Sequence, residues 1–182
     1  GVQTLGFRGE ALPSIAAVCR FELKTREAHT ESGTRIRIEA GTLRDVSEVG
    51  CPPGTEVDVR SLFHNLPARR KFLRATTTEL NHCVQAMMRE VLMRPEIGVV
   101  MRHESRELLR SPAGGDLDSR IADCLGRDGH TLLPVDIELA GLRIRGRTAP
   151  IGVHRSSAAR SVYPYVTGRY IQAAPGRRAA HE

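Results

Sequence analysis

The sequence predicts an α+β chain of two consecutive units, and three observations carry that expectation. Residues 10–19 and 76–92 place apolar side chains at helical spacing, while 20–25, 34–38, 55–59, 132–139 and 142–148 alternate apolar and polar residues as half-buried strands do. Ser111-Pro112-Ala113-Gly114-Gly115 is loop-forming at every position and divides a unit over 1–112 from a unit over 116–182. With 182 residues, 40% of them hydrophobic, the chain has material for one domain or two small ones, and no internal repeat is visible.

The first element is a glycine-bracketed loop, Gly6-Phe7-Arg8-Gly9, that runs straight into a helix at Glu10. Gly6 and Gly9 can adopt backbone angles closed to other residues, so the peptide N–H groups of a tight loop can converge on an anion, with Arg8 adding charge between them. Ala11, Leu12, Ile15, Ala16, Val18 and Cys19 fall mostly on one helical face. Pro13 is tolerated only in the first turn, where its missing N–H would have had no partner. Free N–H groups plus a helix N-terminus make a phosphate site. An ordinary glycine turn ahead of an amphipathic helix explains the same spacing, and on spacing alone it is the commoner case. Glu10 is accounted for by the helix dipole.

Strands at 20–25 and 34–38 follow, with Phe21, Leu23, Ile36 and Ile38 inward. The pattern over 42–49 is weaker, and Cys51-Pro52-Pro53-Gly54 forms a turn that leads to a strand at 55–59. Pro67 starts a short helix, and Phe72 and Leu73 read as anchors for a structural motif around Arg69, Arg70, Lys71 and Arg74. Thr76 with Glu79 fits a capping box for a helix through Leu92, stopped at Arg94-Pro95. Core packing accounts for Met87 and Met88. A hairpin over 99–110 turns near Glu104 and Ser105. Beyond the linker come a helix near 118–125 closed by Gly126 and two strands joined through Ala140-Gly141. A last strand at 163–171 is interrupted by Gly168, and Pro175 onward reads as a tail.

The net charge is +6, carried almost wholly by arginine since Lys24 and Lys71 are the only lysines, and the isoelectric point is near 9.7. This balance favours an acidic partner, nucleic acid or nucleotide. Aromatic residues are only 4% and tryptophan is absent, which argues against a stacking platform for single strands. Cys19, Cys51, Cys83 and Cys124 show no metal-ligand spacing and read as thiols of a reducing compartment. No apolar run approaches the roughly 18 residues of a membrane span, and no secretory segment opens the chain. The opening at Gly1 reads as an internal piece of something longer.

Gly6-Phe7-Arg8-Gly9-Glu10-Ala11-Leu12 with Ser14-Ile15, then Gly54-Thr55, Leu62-Phe63, Asn65, Pro67-Ala68-Arg69 and Lys71-Phe72-Leu73 resemble, in order, the N-terminal part of the MutL/HexB family of DNA mismatch repair proteins. Tyr165-Val166-Thr167-Gly168-Arg169 is similar to a strand motif in that family's second domain. The resemblance implies the C-terminal part of a GHKL (Bergerat) ATPase α/β sandwich followed by a domain like the second domain of ribosomal protein S5. It implies that Gly6, Phe7, Arg8, Gly9 and Leu12 belong to an ATP lid whose backbone holds phosphates, and that Thr55 stands near the adenine. A hydroxyl suits that edge because it both donates and accepts. Without the resemblance Thr55 is a plain strand residue after a glycine turn.

ATP and Mg²⁺ are the implied cofactors. The family's catalytic glutamate, Mg²⁺-ligating asparagine and adenine-reading aspartate lie upstream of the lid, and no lysine follows Lys71, so these 182 residues alone are expected not to hydrolyse ATP. Implied partners are double- and single-stranded DNA, the mismatch-recognition protein MutS, and a second copy through ATP-bound N-terminal domains, in the bacterial cytoplasm. Arg169 is the leading DNA-binding residue. Arg143, Arg145 and Arg147 share one strand face and could pair with phosphates, although such alternation more often marks a solvated face. Two alternatives stay open: a nonenzymatic basic nucleic-acid-binding module, and a related ATPase such as a type II topoisomerase subunit or a chaperone.

Overall fold

The computed structural model describes residues 9–151 and 162–171, arranged in two compact units, Gly1–Ala75 and Thr76–Glu182. The tail from Pro175 lies outside the described residues, as do Gly6, Phe7 and Arg8 of the loop.

In the first unit, helix α1 (Ala11–Ala16) precedes four strands, β1 (Arg20–Arg26), β2 (Gly33–Glu39), β3 (Thr42–Val49) and β4 (Gly54–Arg60), and a short helix α2 (Pro67–Arg70). The sheet is antiparallel in the order β3-β2-β1-β4. Pro13 sits in the first turn of α1, as its missing N–H requires. Phe21 faces Ile38 and Val59, and Leu23 faces Ile36 and Val57, so the predicted inward residues share one sheet face. The core of this unit is Ala16, Cys19 and Phe21, with Leu23 and Ile38 packed against it.

The opposite face is a lattice of charge. Arg20 and Arg44 pair with Glu39, Arg35 and Arg37 with Asp45, Lys24 with Glu22 and Glu56, and Arg60 with Asp58. Hydrogen bonds from Arg20 to Glu39, and from Ser47 to Asp45, hold both carboxyls below the usual carboxylate range.

The C-terminal end of α1 is fixed by backbone and one side chain of later segments. Gly41 N–H donates to Ala16 O at 3.0 Å, Phe63 N–H to Val18 O at 2.7 Å, and the Asn65 amide to Ala17 O at 3.0 Å. Leu62, Phe63 and Asn65 thus lie in a segment that pins the helix. Phe72 and Leu73 do not act as anchors: they are 83% and 42% exposed. Helix α2 is four residues long and buries none of them, so the turn that follows has no packed face to insert into.

In the second unit, α3 (Thr76–Val91) is followed by the hairpin β5 (Val99–His103) and β6 (Arg106–Ser111), then α4 (Leu117–Leu125) and a 3-10 turn (Gly126–Thr131). Two further hairpins are β7 (Leu133–Leu139) with β8 (Leu142–Thr148), and β9 (Tyr165–Val166) with β10 (Arg169–Tyr170). Met88, Val91 and Leu109 form the core, with Val84, Val99, Met101, Cys124 and Leu125 against it, whereas Met87 is 37% exposed. Asp116 caps α4 by accepting from the Ser119 N–H at 2.8 Å.

The linker of the sequence analysis lies inside this unit and is tied down. Ser111 Oγ donates to Asp123 at 2.5 Å, and Gly114 N–H donates to Pro95 O at 3.0 Å. Arg120, only 1% exposed, sends its guanidinium to the carbonyls of Pro95, Ile97 and Pro112. The single strand predicted over 163–171 is instead a tight hairpin. Thr167 and Gly168 both take positive φ, 48° and 77°, which closes a two-residue turn and folds the segment back on itself.

Candidate functional site

Of the predicted lid residues, Gly9 and Leu12 are described. Gly9 has φ +65°, the left-handed region that favours glycine, and no heavy atom lies within 4 Å of where its Cβ would stand. The turn into α1 therefore needs glycine for its angles, and it leaves open space beside the backbone. Leu12, the second residue of the helix, is 44% exposed.

Helix α1 packs on the sheet face that carries Phe21 and Leu23. Thr25 continues that face by alternation, and across the strands it stands opposite Thr34 and Thr55. Thr55 Oγ1 lies 2.9 Å from Thr25 Oγ1, and Thr25 also donates to Gly54 O at 3.3 Å. The structure thus adds Thr25, which sequence reasoning missed, to the hydroxyl edge at Thr55. Only the strand register shows that the two oxygens meet. Thr55 is exposed and Thr25 half-buried, and the pair retains hydrogen-bonding capacity. Among the described residues, no group of three or more His, Cys, Asp or Glu side chains could hold a metal ion.

The four predicted DNA-binding arginines lie in the second unit. Arg143 makes a bidentate pair with Asp136 at 2.9 and 2.7 Å, and Arg147 one with Asp118 at 2.6 Å for both bonds. Asp136, bound by Arg143 and with Arg145 nearby, is held below the usual carboxylate range. The arginine stripe of β8 is therefore largely matched by carboxylates. Arg169 follows the Thr167-Gly168 turn on an exposed position of β10.

Sequence reasoning also missed Arg89 of α3, which meets Tyr165 and Tyr170 of the β9–β10 hairpin, and Gln85, which meets Tyr163 just before it. Their spacing of four residues puts them on one helical face. No helix among the described residues is long and apolar enough to cross a membrane.

No family model matches the chain. Against curated proteins it is 44% identical over 181 residues to the DNA mismatch repair protein MutL of Anaeromyxobacter dehalogenans strain 2CP-1, covering 99% of this chain and 29% of that protein. It is 46% identical over 171 residues to MutL of Trichlorobacter lovleyi, covering 94% of this chain and 28% of the relative. Among solved structures, the Aquifex aeolicus MutL ATPase domain complexed with ADP aligns with TM-score 0.81 and 30% identity, over 94% of this chain and 66% of that one. A second Aquifex aeolicus structure, described as the ATPase domain of the bacterial mismatch repair endonuclease MutL, aligns with TM-score 0.74 and 26% identity, over 97% of this chain and 68% of that one.

The fold is thus α+β and of the GHKL ATPase class. The chain belongs to the MutL family of DNA mismatch repair proteins, and it spans a little under a third of the length of the curated relatives it matches.

Proposed function

We propose that residues 1–112 are the lid-bearing part of a MutL-type ATPase domain and residues 116–182 part of an S5-like second domain. In the longer protein the two act as an ATP-driven switch in mismatch repair. Gly6, Phe7, Arg8, Gly9 and Leu12 hold the phosphates through the backbone, and Thr55 with Thr25 faces the adenine. The observation that carries this reading is local: Gly9 in the left-handed region opens directly onto α1, and α1 lies on the same sheet face as the Thr25–Thr55 hydroxyl pair. The ADP bound to the related Aquifex aeolicus domain supports a nucleotide as the ligand.

ATP would supply the switching energy, and Mg²⁺, when bound, would neutralise phosphate charge; the family's metal-ligating motif lies upstream of the lid. A polypeptide of these 182 residues alone binds nucleotide weakly and does not turn it over. Arg169 contacts DNA phosphates in double- or single-stranded DNA, with Arg145 closer to that role than the ion-paired Arg143 and Arg147. ATP binding pairs two N-terminal regions and alters contacts with MutS, in the bacterial cytoplasm.

The test is equilibrium binding of a Mg²⁺–ATP analogue to this chain and to a form extended upstream by about a hundred residues, the scale of a small domain. Tight binding by the extended form and little by these 182 residues is the expected result. Failure of both forms leaves the basic nucleic-acid-binding module as the better account, with salt-sensitive DNA binding indifferent to ATP. Substantial turnover by the 182 residues alone refutes the split site.

A further inference from the structure

The β9–β10 hairpin has two chemically distinct faces. Tyr165 and Tyr170 are cross-strand partners on one side, whereas Val166 and Arg169, also partners, occupy the other. The tyrosine side rests on α3. Tyr165 Oη donates to the Arg89 carbonyl at 2.8 Å, and Tyr163 Oη donates to Gln85 Oε1 at 3.3 Å. The Arg89 guanidinium lies 5.0 Å over the Tyr170 ring, and the Tyr165 and Tyr170 rings meet edge to face with centroids 5.7 Å apart.

Arg89 Nε is buried without a hydrogen-bond partner. A guanidinium nitrogen withdrawn from water without a carbonyl in return is tolerated when the cation's remaining contacts are strong, and here the aromatic face is one of them. Gln85 and Arg89 are four apart, so one face of α3 supplies both polar partners, while Met88 and Val91 turn into the core. The contact is therefore built from a rigid helix and a rigid turn.

We propose that Arg89 and Tyr165 are positioning residues for Arg169: α3 clamps the tyrosine face of the hairpin and so presents the opposite face, with Arg169, to a nucleic-acid phosphate. This rests on the reading that Arg169 binds DNA. Both elements belong to the Thr76–Glu182 unit, and the setting of Arg169 follows the position of α3 within it.

The experiment uses the full chain with Tyr165→Phe, Arg89→Met and Arg169→Ala, singly and with each clamp variant combined with Arg169→Ala. Two quantities are read: the near-ultraviolet circular dichroism of tyrosine, and the affinity for a fluorescent DNA duplex at low salt. All three tyrosines of the chain lie in this contact and tryptophan is absent, so the tyrosine band reports the clamp directly. Tyr165→Phe removes only the hydroxyl and keeps every charge, which separates positioning from the loss of a cation in Arg89→Met.

Arg89→Met, which keeps all three tyrosines, is expected to change the tyrosine band, and both clamp variants are expected to weaken binding about 2- to 5-fold, the scale of one lost phosphate contact. On the Arg169→Ala background they are expected to cost nothing further. Clamp variants that bind DNA like the parent while Arg169→Ala is weakened overturn the proposal, as do losses that simply add to that of Arg169→Ala. An unchanged tyrosine band in Arg89→Met also overturns it. Arg169→Ala that binds like the parent instead refutes the DNA-binding role of Arg169 and removes the proposal with it.

Discussion

Phe21→Ala tests how the first unit holds its candidate nucleotide loop. Phe21 is 5% exposed in a core that, among the described residues, has three buried members, with Leu23 and Ile38 at its margin. A phenylalanine of this kind buries about 150–250 Å², worth roughly 4–6 kcal/mol at about 25 cal/mol per Å². Truncation to alanine in protein cores costs about 3–5 kcal/mol, and the half-exposed neighbours can close part of the gap, so about 3 kcal/mol is expected here. A unit of this size carries on the order of 4–11 kcal/mol in total.

The same ring supports Ala16 of α1, so the helix and the Gly9 turn loosen together. In urea titrations followed by far-ultraviolet circular dichroism, the transition of this unit moves to lower denaturant. In hydrogen exchange, amides of β1, β2 and β4 lose protection while those of α3 and β6 keep theirs. In an upstream-extended form, nucleotide affinity falls although Phe21 is buried in the core. A loss below about 1 kcal/mol, or equal loss of protection in α3, refutes the reasoning.

Further expectations concern backbone clearance and titration. At Gly33 a Cβ would lie 2.6 Å from both Cys51 Sγ and Thr25 O, so Gly33→Ala destabilises the start of β2 by about 1–3 kcal/mol, measurable as a lower melting temperature. At Gly129 a Cβ would lie 2.7 Å from Ile121 O and 2.9 Å from Ala122 Cα, so Gly129→Ala displaces the 3-10 turn from α4 and speeds amide exchange there. Glu39, Asp45, Glu107, Asp116 and Asp136 are held below their ordinary values, chiefly by hydrogen bonds from Arg20, Ser47, Arg110, Ser119 and Arg143 respectively. A depressed folded value contributes stability that is fully present above the unfolded value and lost as pH falls through the folded one. The urea midpoint should therefore be flat above about pH 5 and fall below about pH 4; a flat profile in acid refutes this. Burial raises the Tyr165 phenol, so its stabilisation persists below the ordinary tyrosine value and disappears as pH rises through the folded one. Spectrophotometric titration should show a phenol that ionises late, and Tyr165→Phe should remove it.

Much of the first unit was legible because its strands are half-buried and alternate with period two. Phe21, Leu23, Ile36 and Ile38 face one another in the register that alternation implies. Strand β3 read weakly for an identifiable reason. The register shifts between Arg37 and Ile38, pairing them with Asp45 and Leu43, so Arg44 is an extra residue and the phase of the apolar positions breaks there. The hairpin at 165–170 was hidden because Thr167, a non-glycine residue at positive φ, shares the turn with Gly168. Of the candidate site, the loop chemistry and Thr55 were visible in the motif, but Thr25 was not, since its role comes from pairing 30 residues apart. Phe72 failed as an anchor because apolar character gives no address without a packed partner. Arg120 and Arg89 ran against the expectation that arginine faces solvent, and only tertiary contacts reveal them.

The acceptors that surround Arg120 are main-chain carbonyls, and a main chain does not mutate. Substitutions at positions 95, 97 or 112 leave the oxygens in place, while the donor has no close substitute: all three bonds come from Nη2 at the tip of the guanidinium, and a lysine there would shed its proton readily when buried. The constraint is therefore asymmetric. Drift along the 95–97 and 112 segments is absorbed, but drift at position 120 strands three carbonyls at once. Among related chains the loop residues can diverge freely around a single unchanging arginine, and a loss at that position should travel with a rebuilt loop.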